Sequence, residues 1–401
     1  MWFCTTTPAY LDKTNATAIH AALGLDRSTP AYDVVGGVRS WVGALRAALA
    51  TDQLSVVVAA DVRTGLPGGS DETAHGDAAA ALLIGSDSTG DPAGRVLAEV
   101  ISHASLTEEF LERWRLPAEP VSRTWEERFG EARYTPLGVE AVKTALAEAG
   151  LDADAVDHLV VSGLHERAVA AVQRASGVTA ERIADRLAAT VGNPGIAQPA
   201  LLLAATLERA QPNQIILLVV LADGAEAIVL RTTPALATYR PSRPIDGQIA
   251  SGGPVPYGRY LAWRGLLPVE PPRRPSPARP SAPAASRSTE WKYGLVASRD
   301  VSGEVHMPPA PTDVTAHAMA DSQGTVTAFT IDRLTYSQSP PTVFAVVDFD
   351  GGGRLPVELT DVDPADVAEG VRVEMTFRRL FTTDGIHNYF WKARPIRGEA
   401  G

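Results

Sequence analysis

The sequence predicts a layered α/β part made of two related halves, followed by a small closed all-β barrel. Three observations carry this. Up to about residue 235, helical periodicity alternates with short apolar runs, the pattern of helices packed on sheets. A succession of helix, apolar strand, glycine and alanine-rich strand occurs twice, near 40–85 and near 198–231. Beyond Gly324 the pattern changes to short alternating segments separated by turn residues.

Each element has a local reason. Thr14 and Asn15 can cap a helix that runs to Leu23 and stops at Gly24. Ala31-Tyr-Asp-Val-Val-Gly-Gly-Val-Arg-Ser-Trp-Val-Gly-Ala-Leu45 is a strand-like run that passes through two glycines into a helix of about Ser40 to Ala50. Leu54-Ser-Val-Val-Val-Ala-Ala60 reads as a buried strand and Gly76–Gly85 as a small-residue strand. Helix 136–149, strand 157–162 and helix 166–175 follow, then helix Gln198–Ala210, strand Gln214–Ala222 and the glycine-led strand Gly224–Arg231. From Pro268 to Arg287 the density of Pro, Arg, Ser and Ala predicts a semi-rigid extended linker. Strands are expected at 324–331, 342–349, 354–360, 371–379 and 387–394, with a helical turn at 363–368, which suggests a barrel of OB type. The divisions expected are 1–235, a linker over 236–290, a short segment over 291–322, and the barrel over 323–397.

Composition narrows the function classes. A net charge of −11 argues against a general nucleic-acid binder, since phosphate-driven affinity needs clustered Lys and Arg. The barrel segment, with ten Asp/Glu against seven Lys/Arg over 324–395, lacks the positive groove of a single-strand site. One cysteine rules out a disulfide framework and fits a reducing cytoplasm. The longest apolar run, Ile215 to Ala222, is far short of a membrane span, and Met-Trp-Phe-Cys-Thr-Thr-Thr-Pro lacks the features of a signal peptide. An acidic cytoplasmic protein is expected, with neither nucleic acid nor membrane as partner.

The turn at Val38 carries the chemistry question. A strand–turn–helix sets its turn residue at a helix N-terminus, where the dipole stabilises an anion and lowers a thiol's pKa. A nucleophilic cysteine would be useful there, and the chain has valine. The lone cysteine, Cys4, lies in an apolar strand where a buried thiol is inert.

Tyr32-Asp-Val-Val-Gly-Gly-Val38 resembles the active-site segment of thiolase-fold condensing enzymes, specifically hydroxymethylglutaryl-CoA synthase and ketoacyl-ACP synthase III. Gly163-Leu-His-Glu-Arg167 is similar to their histidine segment, and Gly192-Asn-Pro-Gly-Ile-Ala197 to their asparagine loop. Thr5-Thr-Thr-Pro8, Gly76-Asp-Ala-Ala-Ala80 and Asp223-Gly-Ala-Glu-Ala227 add to the likeness, which covers residues 1 to about 235. It implies a thiolase-like fold and a coenzyme A thioester as substrate. It also implies that His165 and Asn193 stabilise developing oxyanion charge, while Val38 occupies the place of the acyl-carrying cysteine. Valine has no lone pair and forms no thioester. His165 is also placed to cap the helix beginning at Glu166, and Asn193 to hold a turn. The family has a leading βαβ portion before its Thr-Thr-Thr-Pro segment, so the N-terminal portion is expected to be short of it.

Tyr260-Leu-Ala-Trp-Arg-Gly265, Gly303-Glu-Val-His-Met-Pro-Pro309 and Pro341-Thr-Val-Phe-Ala-Val-Val-Asp348 resemble a second family, the zinc-ribbon-plus-OB-fold proteins that accompany thiolases and bind acyl-CoA. The ribbon, over 291–322, is degenerate. Its cysteines would fall near Arg299, Ser302 and Thr312–Ala316, and His306 and His317 are too few to replace them, so no structural metal is expected.

Two readings follow. In one, the chain handles acyl-CoA and makes or breaks a carbon–carbon bond without an acyl-cysteine, acyltransferase- or aldolase-like, with His165 and Asn193 polarising the thioester and Asp61, Glu72 or Tyr32 moving protons. In the other, it is a non-catalytic homodimer or subunit that channels acyl-CoA for a thiolase-type partner.

Overall fold

The computed structural model describes residues 1–85, 96–117, 119–270, 273–337 and 339–396. The chain divides into two compact units, one of residues 1–16 with 30–250, the other of residues 17–29 with the chain from Ser251 onward.

The first unit opens with β1 (Trp2–Thr5), followed by α1 (Ala16–Ala22), which crosses the division, then β2 (Tyr32–Val35), α2 (Arg39–Leu49), β3 (Ser55–Asp61), α3 (Ser70–Ala74) and β4 (Ala78–Ile84). Next come β5 (Ala98–Thr107), β6 (Arg113–Trp114), β7 (Arg123–Thr124), α4 (Glu127–Ala149), β8 (His158–Gly163) and α5 (Glu166–Ala175). Helix α6 (Gln198–Leu207), β9 (Ile215–Leu221), β10 (Gly224–Thr232) and α7 (Ile245–Ala250) complete it. Two four-stranded sheets form, in the orders β2-β1-β3-β4 and β5-β10-β9-β8. Each holds a parallel pair (β1 with β3, β8 with β9) continued by an antiparallel hairpin (β3–β4, β9–β10). That shared order is the duplication expected from the recurring motif.

Packing explains why the motif recurs. Trp41, Val42 and Leu45 of α2 and Leu202 and Leu203 of α6 share one core with Val57 and Ala59 of β3 and Ile216, Leu218 and Val220 of β9, so the two helices form a layer shared by both sheets. A second core packs α4 and α5 on the other face of β9 and β10, through Ala141, Val142, Val169, Leu217 and Val219. Every residue of β9 is buried, which is why it reads as an unbroken apolar run. Helix α4 begins nine residues earlier than its expected start at Pro136, which lies inside it.

In the second unit, α8 (Tyr257–Trp263) precedes the stretch expected to be an extended linker, and α9 (Ala282–Arg287) forms at the end of that stretch. Ser281 starts α9 by accepting the Ala284 N–H at 3.5 Å, with Pro in the first turn, where its missing N–H costs nothing. Helix α10 (Thr289–Gly294) leads to β11 (Val296–Asp300), β12 (Val305–His306) and β13 (Val314–Ala318), a three-stranded sheet. Strands β14 (Gln323–Asp332), β15 (Thr342–Phe349), β16 (Arg354–Leu359), β17 (Arg372–Thr383) and β18 (Ile386–Pro395) close into a barrel in the order β14-β15-β16-β18-β17. The five strands lie where alternation puts them, and their inward residues Val326, Val343, Val347, Val357, Val373 and Ala393 make the barrel core.

Candidate functional site

Strand β2 reaches α2 through Gly36 and Gly37, and Val38 stands at the helix N-cap with φ −57° and ψ −32°. Gly37 sits close to β10's turn: a Cβ there would stand 3.2 Å from the Asp223 carboxylate, which would have to give way slightly. The Val38 side chain is 5% exposed and belongs to the same apolar core as Trp41 and Cys4. Cys4 is fully buried in β1, and burial pushes its thiol up to about 12, so it stays protonated.

Beside this turn the Arg39 guanidinium spans α2, β5 and β10. It donates to Glu226 Oε1 at 2.7 Å, to Ser105 Oγ at 3.0 Å and to the Asp223 carbonyl at 2.5 Å. Burial holds the Asp223 carboxyl above its ordinary range against the pull of Arg39.

His165 is the N-cap of α5. Its Nδ1 accepts the Ala168 N–H at 3.1 Å and its Nε2 donates to the Glu127 carbonyl at 2.9 Å, which fixes the tautomer. The ring packs against Gly130 of α4, where a Cβ would meet its Cδ2 at 2.5 Å and Glu112 Cγ at 2.7 Å. Tyr134 lies 6.1 Å away, centroid to centroid. Glu112 itself is buried, and that burial raises its carboxyl.

Asn193 donates from Nδ2 to the Gly163 carbonyl at 2.8 Å and accepts the Gly195 N–H at 3.0 Å. It therefore ties its own loop to the end of β8, two residues before His165. Both residues singled out by the sequence spend these groups on the fold.

The three proton-transfer candidates do not converge. Asp61 is a buried acceptor for the Thr6 N–H at 2.6 Å, Thr5 Oγ1 at 3.2 Å and the Ile196 N–H at 3.0 Å, joining the ends of β1 and β3 to the Asn193 loop. Glu72 accepts the Gly68 N–H at 2.7 Å. Tyr32 is half exposed on β2, with its ring 5.3 Å from Trp2.

Sequence reasoning passed over one half-buried cluster. Arg113 clamps Asp71 with two bonds of 2.7 and 3.0 Å, and His75 Nε2 lies 3.8 Å from the same carboxylate. Arg63 reaches Thr6 Oγ1 at 3.3 Å. Burial first, and the Arg63 charge second, push His75 down to about 4, so it is neutral near pH 7. The signal was available: Asp71 and His75 stand four apart, neighbours on one helix face. The backbone closes over them, with the Asn193 N–H on the Ala74 carbonyl at 2.8 Å.

The β11–β13 sheet shows what holds the segment likened to a zinc ribbon. Arg299 donates to the Gly303 carbonyl at 2.8 Å and lies 3.1 Å from His317 Nε2, while Asp300 Oδ1 accepts from the Ser302 and Glu304 N–H groups at 2.8 and 3.0 Å. Asp300, Glu304 and His306 cluster there, but His306 bonds Asp300 at 2.9 Å. The donor set at Arg299, Ser302 and Thr312 does not fit a zinc–thiolate centre.

Among the described residues, no helix is long and apolar enough to cross a membrane.

Comparison with known proteins agrees with this architecture. The profile of the ChsH2 C-terminal OB-fold domain matches residues 316–378. The hydroxymethylglutaryl-CoA synthase of Archaeoglobus fulgidus is 25% identical over 263 residues, 64% of this chain and 74% of that protein. A DUF35 domain-containing scaffold protein of Pyrococcus furiosus is 30% identical over 121 residues, 26% of this chain and 85% of the relative. Among solved structures, the curacin-pathway HMG synthase in complex with an acetyl donor-ACP matches with TM-score 0.53 and 16% identity, over 66% of this chain and 70% of that one. An HMG-CoA synthase complexed with CoA matches with TM-score 0.50 and 15% identity, over 62% and 68%. At such identities the structural likeness speaks for the fold. The chain thus joins a thiolase-like part of the hydroxymethylglutaryl-CoA synthase type to a C-terminal OB-fold domain, and through that domain it belongs to the DUF35 family.

Proposed function

We propose that this chain handles acyl-CoA as a non-catalytic subunit that serves a thiolase-type partner enzyme. One observation supports this above the others: with valine at the helix start, the His165 ring nitrogens and the Asn193 amide are engaged within the protein, at 2.9, 3.1 and 2.8 Å. An oxyanion donor must be aimed at the reacting oxygen to accelerate anything. The relative from Pyrococcus furiosus is described as a scaffold protein, which agrees with the reading.

The other reading, aldol- or Claisen-type chemistry without an acyl-cysteine, draws on Glu112 and Asp223. Both carboxyls are raised by burial, a property of acid–base groups at working sites. The two readings separate by experiment. The purified chain is incubated with β-hydroxyacyl-CoA and β-ketoacyl-CoA, while calorimetry follows binding and mass spectrometry follows adducts. Binding without turnover or adduct is the expected result. Turnover that Glu112→Gln or Asp223→Asn abolishes, or a substrate-derived adduct on the native chain, overturns the proposal.

A further inference from the structure

Helices α9 and α10 and the hairpin β17–β18 line an open groove of about 350 Å³, all of it within the second unit. Its walls run from Pro280 to Lys292 and from Leu380 to Phe390, entirely outside the stretch 316–378 that matches the ChsH2 domain.

The chemistry of the walls is specific. Trp291, Leu380, Tyr389 and Phe390 give an apolar, largely aromatic lining, with the rings of Trp291 and Phe390 at 5.6 Å and 59°. One cation faces it, Lys292, and none of the lining residues is acidic. Among the described residues no carboxylate pairs with Lys292. Asn388 Oδ1 takes one of its three donors. A partly buried ammonium with one neutral acceptor and no counter-charge has its lost hydration only partly replaced, and burial accordingly lowers its pKa. An anion carried on an apolar body would supply the missing charge and cover the rings in one step. Size agrees, since the volume stands at the small end of ligand pockets, which combine apolar walls with few polar anchors.

We propose that this groove is a binding site for a small apolar monocarboxylate, with its carboxylate on Lys292 and its ring or chain against Trp291, Tyr389 and Phe390. The site does not rest on the acyl-CoA reading, and a carboxylate carried on an apolar body supplies beside the rings the charge that a neutral thioester group does not.

Calorimetric titration of the full chain tests it, with 3-phenylpropanoate and octanoate as probes and their neutral amides as controls. The acid is expected to bind about tenfold or more tightly than its amide, and Lys292→Gln to remove that difference while Lys292→Arg keeps it. Ala285→Trp, which fills the groove from α9, is expected to block acid and amide alike. Saturation by either probe in this pattern supports the site and tells whether it favours a flat or a flexible body. Failure of both acids to bind, equal binding of acid and amide, or an unaltered Lys292→Gln overturns it. Displacement of the probe by acetyl-CoA would also overturn it, by giving the groove to the thioester.

Discussion

At the scale of single residues, polar groups in the first unit that the sequence singled out for chemistry make hydrogen bonds within the fold. His165 satisfies one of the orphan N–H groups at the start of α5 and covers the Glu127 carbonyl at the start of α4. His165→Ala is therefore expected to lower stability by about 1–3 kcal/mol, read from the urea midpoint, and to leave acyl-CoA binding unaltered. His75 sets a pH dependence. Its folded pKa, about 4, lies below the ordinary histidine value, so between about pH 6.5 and 4 the unfolded chain takes up a proton that the folded chain refuses. Stability is whole above that window and is lost as pH falls through it, by about 3 kcal/mol at most. Glu112 and Asp223, raised by burial, act with the opposite sign. The difference between the native chain and His75→Gln across urea titrations from pH 7.5 to 4.5 isolates the histidine, and a difference that does not change with pH would refute its burial. Val38 was legible in the sequence because a strand–glycine–helix turn has a fixed place for its side chain. The engagement of both His165 nitrogens was not, since it depends on Glu127, 38 residues away.

At the scale of elements, the contrast between the two sheets matters most. In the second, β5 covers the outer side of β10 over nine residue pairs and α4 covers the face. In the first, among the described residues β4 pairs only with β3. Its Ala-Ala-Ala-Ala-Leu-Leu-Ile sequence carries no charge, and Leu83 is 64% exposed. Such an edge invites strand pairing between molecules. Leu83→Lys is expected to reduce concentration-dependent association in light scattering without moving the melting temperature by more than a degree or so. Strands β9 and β10 and all five barrel strands could be read because short apolar or alternating runs end at glycines and turns. Strand β5, Ala-Glu-Val-Ile-Ser-His-Ala-Ser-Leu-Thr, could not: its pairing comes from β10, over 120 residues later, and its own pattern is mixed. The start of α4 was hidden for a different reason. Pro136 signals a first turn, yet the helix runs through it from Glu127, held by Gly130 and Tyr134 against the His165 region.

At the scale of the whole molecule, sequence composition marked the change from α/β to all-β, because the hydrophobic period itself changes. It placed the end of an extended linker where the short helix α9 forms, since the Ser281 cap and the groove walls depend on contacts that a proline count does not contain. The barrel core draws on residues from Leu295 to Ala393, with Trp291 packed against it. A fragment of residues 289–396 is therefore expected to fold by itself, with a single cooperative thermal transition by circular dichroism. A gradual, featureless melt would show that the rest of the chain is needed.

The ring of five strands is completed by a parallel junction of one residue pair, Leu359 with Ala393, beside antiparallel ladders of up to ten pairs. A cylinder sewn so unevenly has a seam. Amide protons beside Leu359 and Ala393 should trade with deuterated solvent before those of the β17–β18 ladder, and any widening of the barrel to admit a guest would begin along that line.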